Sequence, residues 1–121
     1  MADHAHDVAE LIHNAGVLGL DARDLVDDPP MYRALERFLI DHGYDAKRDV
    51  HLTRIGRVEL MVGSTAIVAL TWGTPRQATS TVEKVAGSRH VTGVVLATTV
   101  AEHGLVPAVV KGTPVRTVVV A

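Results

Sequence analysis

Met31-Tyr-Arg-Ala-Leu-Glu-Arg-Phe-Leu-Ile-Asp-His-Gly43 is followed by two apolar runs, Arg57-Val-Glu-Leu-Met-Val62 and Thr65-Ala-Ile-Val-Ala-Leu-Thr71, and this order decides the fold class. In the first stretch Ala34, Leu35, Phe38 and Leu39 recur at helical spacing, which predicts a helix over 30–42. Asp28 suits its N-cap, Pro29 its first turn, and Gly43 the left-handed residue that closes it. The two apolar runs flank Gly63-Ser64, by composition a two-residue hairpin turn. Further on, residues 91–98 are nearly all apolar and β-branched, as expected of a central strand covered on both faces. Helix, hairpin, helix and buried strand together predict an α/β fold with a mixed central sheet flanked by helices.

The flanking segments extend this core. Val8, Leu11, Ile12 and Ala15 fall at i, i+3, i+4 and i+7, so residues 5–15 read as an amphipathic helix ending at Gly16. Val17 to Leu20 is an apolar connector, and residues 21–26 fit one more helical turn. A weakly alternating strand is expected over 49–55, broken by Gly56, and a helix over 76–88 that buries Ala78, Val82, Val85 and Ala86. Residues 101–105 read as a short turn or helical stub. Residues 106–110 and 115–120, joined by Lys111-Gly-Thr-Pro114, read as a closing hairpin. The expected division is an acidic N-terminal helix and connector, 1–28, and a single domain, 29–121.

Composition sets outer limits. At 121 residues the chain can bury its own core. It has no cysteine, so disulfides and thiolate zinc sites are excluded. No apolar run approaches the roughly 20 residues of a membrane span, and the acidic start is unlike a signal peptide. The expectation is a soluble cytoplasmic protein with no membrane partner. The net charge of −2 hides an asymmetry: seven acids face one base in residues 1–30, and eleven bases face seven acids in residues 31–121. Six of those bases lie between Arg33 and Arg57. A basic body is compatible with phosphate contacts and equally with ordinary solvated faces.

The element order over residues 31–98 resembles the PD-(D/E)XK nuclease family, and implies a restriction-endonuclease-like core with an extra N-terminal helix. Under that resemblance Glu36 is the glutamate of the helix preceding the sheet, which often lies beside the metal. Glu59 stands at the acidic magnesium-ligating position of the first hairpin strand, where the family usually has Asp. The signature Glu-x-Lys of the next strand reads Ala69-Leu70-Thr71. Neither Ala69 nor Thr71 can hold a metal charge or stabilise a phosphorane. Magnesium is usually held by one or two carboxylates with phosphate and water, and it activates the attacking water. Losing one preorganised donor of the lysine's kind costs roughly 10²–10³ in rate. In some members the missing groups come from the following helix. Glu83 and Lys84 are spaced for that role, which would bring Glu36, Glu59, Glu83 and Lys84 together at the sheet edge with Mg²⁺ held by Glu59 and Glu83. Amphipathicity alone makes Glu83 and Lys84 exposed residues between Val82 and Val85, and that is the favoured expectation.

Other constellations are weaker. His6, Glu10 and His13 share a helical face and offer a two-histidine, one-carboxylate set, although such triples are commonly solvated polar faces. His42 suits a helix C-terminus. His51, His90 and His103 have no orienting carboxylate at a telling spacing, and no serine has a nucleophile-elbow setting. Arg54, Arg57, Arg76 and Arg89, with Lys84, are the candidate phosphate contacts, and four aromatics are too few for a stacking platform. Any DNA binding would be charge-driven and salt-sensitive. The favoured expectation is a module without efficient catalysis and without a cofactor, acting as a nucleic-acid-associated binding or assembly protein, of phage structural type and virion-associated in that case. The N-terminal helix would serve as its arm toward a protein partner or a second copy. The alternative is an active Mg²⁺-dependent deoxyribonuclease with relocated catalytic residues.

Overall fold

A computed structural model describes residues 4–15, 28–52 and 56–119. Helix α1 spans His4–Ala15 and α2 Asp28–Asp41. Strands β1 (Ala46–Leu52), β2 (Gly56–Val62) and β3 (Thr65–Leu70) lead into α3 (Pro75–Glu83). Then come β4 (Gly93–Thr98), a 3-10 helix (Ala101–Leu105), β5 (Val109–Val110) and β6 (Thr113–Val119). The six strands form one mixed sheet in the order β1-β2-β3-β4-β6-β5. β2 runs antiparallel to both of its neighbours, β1 and β3; β3, β4 and β6 run parallel, and β5 pairs back antiparallel onto β6.

Side-chain alternation divides the core into two layers. Ile67, Ala69, Val95, Ala97 and Val118 face α1 and α2, meeting Val8, Ile12, Leu35 and Leu39. Ala66, Val68, Leu70, Val94 and Leu96 face α3 and the 3-10 segment, meeting Ala78, Val82, Val106 and Val110. Every residue of β3 and β4 is buried, as a sheet covered on both sides requires. The apolar stripe of α1 therefore packs on its own chain's sheet. No helix among the described residues is long and apolar enough to cross a membrane.

Local sequence explains most boundaries. Helix α2 closes as a Schellman motif: Gly43 sits at φ +89, Tyr44 N donates to Leu39 O at 3.0 Å, and Gly43 N donates to Ile40 O at 3.0 Å. His42 Nδ1 donates to the Phe38 carbonyl at 2.8 Å, which also accepts from His42 N at 3.2 Å, so both lone pairs of that carbonyl are used at the helix end. The Gly63-Ser64 turn joins Val62 to Thr65 as expected, and Thr92 N pins it to β4 by donating to Ser64 O.

Three expectations need correction. β1 begins at Ala46, three residues before the expected strand, and residues 53–55 lie outside the described set. Helix α3 stops at Glu83, because the chain tightens there into i→i−3 bonds, Lys84 N to Thr81 O and Val85 N to Val82 O. Gly87 at φ +83 then turns the chain toward β4. The closing hairpin uses a two-residue turn, with both Lys111 and Gly112 at positive φ, in place of a four-residue connection. At the other end of α3, Thr74 and Gln77 form a reciprocal capping box. Thr74→Ala is expected to lower stability by about 1 kcal/mol, read as a shifted urea midpoint at unchanged slope.

Candidate functional site

Glu59 lies where β1 and β2 both break their alternation. Residues two apart on a strand ordinarily share a face. Here Ala46 packs into the α1/α2 layer while Val50 and Leu52 pack toward α3. On β2, Val58 packs toward α3 while Leu60 and Val62 face α1 and α2. The ladder pairs Arg48 with Leu60 and Val50 with Val58, stepping over Asp49 and Glu59. Asp49 adopts φ +54, a left-handed conformation that Asp tolerates better than most side chains. The reversal brings charged side chains from both strands out on the α2 side.

Arg48 is the centre of this group. Its Nε donates to the Glu59 carbonyl at 3.0 Å. One terminal nitrogen lies 3.7 Å from Glu36 Oε1, the other 3.4 Å from Glu59 Oε2. The guanidinium carbon sits 5.8 Å from the centre of the Tyr32 ring. Tyr32 and Glu36 are one turn apart on α2, so one helix face meets the arginine from above. The side chains of Arg48, Glu36 and Glu59 are 25%, 30% and 29% exposed, dry enough to strengthen these contacts. Arg57 completes the group by pairing with Glu59 and with Asp49, the latter at 3.4 Å. Three carboxylates and two guanidinium groups thus alternate along the β1–β2 edge.

Chemically, the position between Glu36 and Glu59 is occupied by a cation the chain supplies itself. A divalent ion held by those two carboxylates would compete with a guanidinium that is also hydrogen-bonded to backbone. Among the described residues no group of three or more His, Asp or Glu side chains is placed to hold a metal ion. Ala69 lies on the same side of the sheet, 1% exposed within the α1/α2 core. Thr71 is half-buried just beyond β3.

The structure therefore joins Glu36 to Glu59 and separates them from the other two candidates. Glu83 and Lys84 are exposed at the end of α3, in the layer packed on the opposite face of the sheet. Glu83 and Lys84 are thus exposed as amphipathicity leads one to expect, and the alternative four-residue cluster is not assembled in this structure, because α3 and α2 cover different faces. Near Glu83, Lys111 Nζ donates to the Glu83 backbone carbonyl at 3.3 Å, so that lysine covers the helix C-terminus.

The arginines are similarly dispersed. Arg57 is committed to Asp49 and Glu59, and Arg54 lies outside the described residues. Arg76 is exposed in the first turn of α3, whereas Arg89 lies beyond its other end, lining an open groove with Lys111, Thr92 and Thr113. In the His6, Glu10 and His13 set, Glu10 is exposed and the two histidine side chains are outside the described set.

Two features were not anticipated from the sequence. Arg48 was one base among six in a basic stretch, and its role depends on the β1–β2 register. His103 is fully buried: Nε2 donates to the Trp72 carbonyl at 2.9 Å, while Nδ1 is buried without a hydrogen-bond partner. That bond ties the 3-10 segment to the turn after β3, leaving Trp72 itself 54% exposed.

Fold and site together define a three-layer α/β protein with a charge-compensated carboxylate pair on one sheet edge. Comparison of the chain with family models, with curated proteins and with solved structures found no match to any of them.

Proposed function

We propose that this protein is a non-catalytic module with a nuclease-like core, working as a binding or assembly unit in association with nucleic acid. The single observation that carries the proposal is Arg48 seated between Glu36 and Glu59. The order α2, β1, β2, β3, α3, β4 agrees with a PD-(D/E)XK core, and the two carboxylates such a core would use are present on one side of the sheet. Their charge is answered by arginine, and the adjacent strand offers buried Ala69 in place of a carboxylate. A fold does not by itself carry an activity, and with its acids neutralised this one is left with its surfaces for packing and docking.

Contact with nucleic acid rests on the exposed Arg76 and Arg89 and on the basic excess of residues 31–121. Such contacts are phosphate-directed, so affinity falls steeply with salt and discriminates little between sequences. Titration of labelled duplex DNA at several salt concentrations tests this. The expected result is weak binding whose salt slope falls by about 1 for each of Arg76→Ala and Arg89→Ala. No salt-dependent binding by the parent protein would remove nucleic acid from the proposal and leave the assembly role.

One observation favours the second reading, an active Mg²⁺-dependent deoxyribonuclease: Glu36 and Glu59 do approach a common point. For catalysis Arg48 would have to withdraw and a third acidic group would have to arrive, since Glu83 is on the other face. Arginine is not deprotonated in proteins, so withdrawal means breaking charge-assisted contacts.

A further inference from the structure

The two edges of the sheet are built differently. β1, at one edge, carries Lys47, Arg48, Asp49 and His51, and its left-handed Asp49 interrupts the ladder. Charges and irregularities of this kind block the addition of another strand. The opposite edge is regular over half its length, with Arg116 as its one charged side chain. β5 covers β6 only through the pairs Val110–Thr113 and Val109–Pro114, followed by Val115 N donating to Ala108 O at 2.7 Å. Pro107 then leads the chain away, and Val106 N donates back to His103 O within the 3-10 segment. Among the described residues, no strand pairs with the outer side of β6 from Arg116 to Val119.

Backbone alternation identifies the groups left there. Val115 N–H points outward to Ala108, so the N–H and C=O of Thr117 and Val119 point outward as well. The side chains in this stretch are apolar or small apart from one arginine: Arg116 is exposed, Thr117 half-buried, Val118 buried and Val119 39% exposed. Val109, on the neighbouring strand, is 58% exposed.

We propose that this edge pairs with a second copy of the chain, antiparallel about a twofold axis at Val118, so that two six-stranded sheets become one. The edge is self-complementary in this register. Thr117 faces the partner's Val119 and Val119 faces the partner's Thr117, so both outward residues of each copy exchange N–H···O bonds. The Val115–Ala108 bond is left intact, and two β-branched cross-strand pairs form on one face. On the other face α1 packs against β6. Its residues 4–15 include Asp7 and Glu10 and no Lys or Arg, so the twofold sets an acidic helix of one copy beside Arg116 of the other. An isologous contact of this type closes at two copies and does not propagate. It is independent of the Glu36–Arg48–Glu59 group, which lies at the opposite edge.

Sedimentation equilibrium of the full chain, beside Val119→Lys, is the test. The parent is expected to sediment at twice its chain mass, and the variant at the chain mass with an unchanged circular dichroism spectrum. A monomeric parent at all concentrations overturns the proposal, as does a folded variant that still dimerises. If the variant fails to fold, hydrogen exchange on the parent decides. Thr117 and Val119 amides that become protected as concentration rises support the pairing, and exchange independent of concentration refutes it.

Discussion

Ala69→Glu, which would restore the nuclease-type carboxylate, is expected to unfold most of the domain and to create no nuclease. Ala69 is 1% exposed and lies in the core layer with Leu35, Leu39, Leu60 and Val95. A glutamate there either buries an unpaired charge or forces α1 and α2 off the sheet. The effective penalty is several kcal/mol per ion, which is comparable to the whole stability of a small domain, about 5–15 kcal/mol. We expect a loss of about 5 kcal/mol or more, seen as a urea transition shifted close to zero denaturant or as insoluble protein. Thr71→Lys, at a half-buried position past the strand end, is expected to be tolerated. A stably folded Ala69→Glu protein with a near-parental midpoint would mean that this part of the sheet opens to water, contrary to the packing described.

Arg48→Ala is the second large effect. The arginine is only 25% exposed and holds the Glu59 carbonyl, both carboxylates and the Tyr32 ring. Removing one partner of a buried pair costs about 3–5 kcal/mol. Partial exposure places this substitution at the lower end, about 3 kcal/mol, because water still screens the remaining charges. Arg48→Lys keeps the charge, loses the planar fork, and should fall between the two. A distinctive consequence accompanies the destabilisation. With the guanidinium gone, Glu36 loses its cation and Glu59 keeps only Arg57, and the variant is expected to gain Mn²⁺ binding, visible as paramagnetic broadening at those two residues. Equal broadening in the parent protein would show that Arg48 does not occupy the cation position.

How far the sequence discloses this structure depends on the kind of information involved. Gly43, the Gly63-Ser64 turn and the wholly apolar β4 announce themselves, because backbone conformation and double burial each restrict composition strongly. The strand position of Glu59 was legible for the same reason. Its surroundings were not. The face reversal at Asp49 and Glu59 leaves no periodic signal, since it converts one alternation into its opposite within a single residue. Arg48 then becomes a partner of Glu59 through register, which a one-residue slip would destroy. Amphipathicity made Glu83 and Lys84 legible as exposed residues, but spacing along the chain could not dismiss their grouping with Glu36, since it does not say which face of the sheet a crossover helix covers. The short β5 was hidden in the same way: the 106–110 run has strand composition, yet Pro107 and the bond from Val106 N to His103 O leave only two residues in the ladder.

The most direct test is a cleavage assay on supercoiled and branched DNA with Mg²⁺ or Mn²⁺, comparing the parent protein with Glu59→Ala and Glu83→Ala. A self-neutralised carboxylate pair predicts no cutting above buffer for any of the three. Cleavage by the parent protein that Glu59→Ala abolishes would contradict it and make the Glu36–Arg48–Glu59 group an active site.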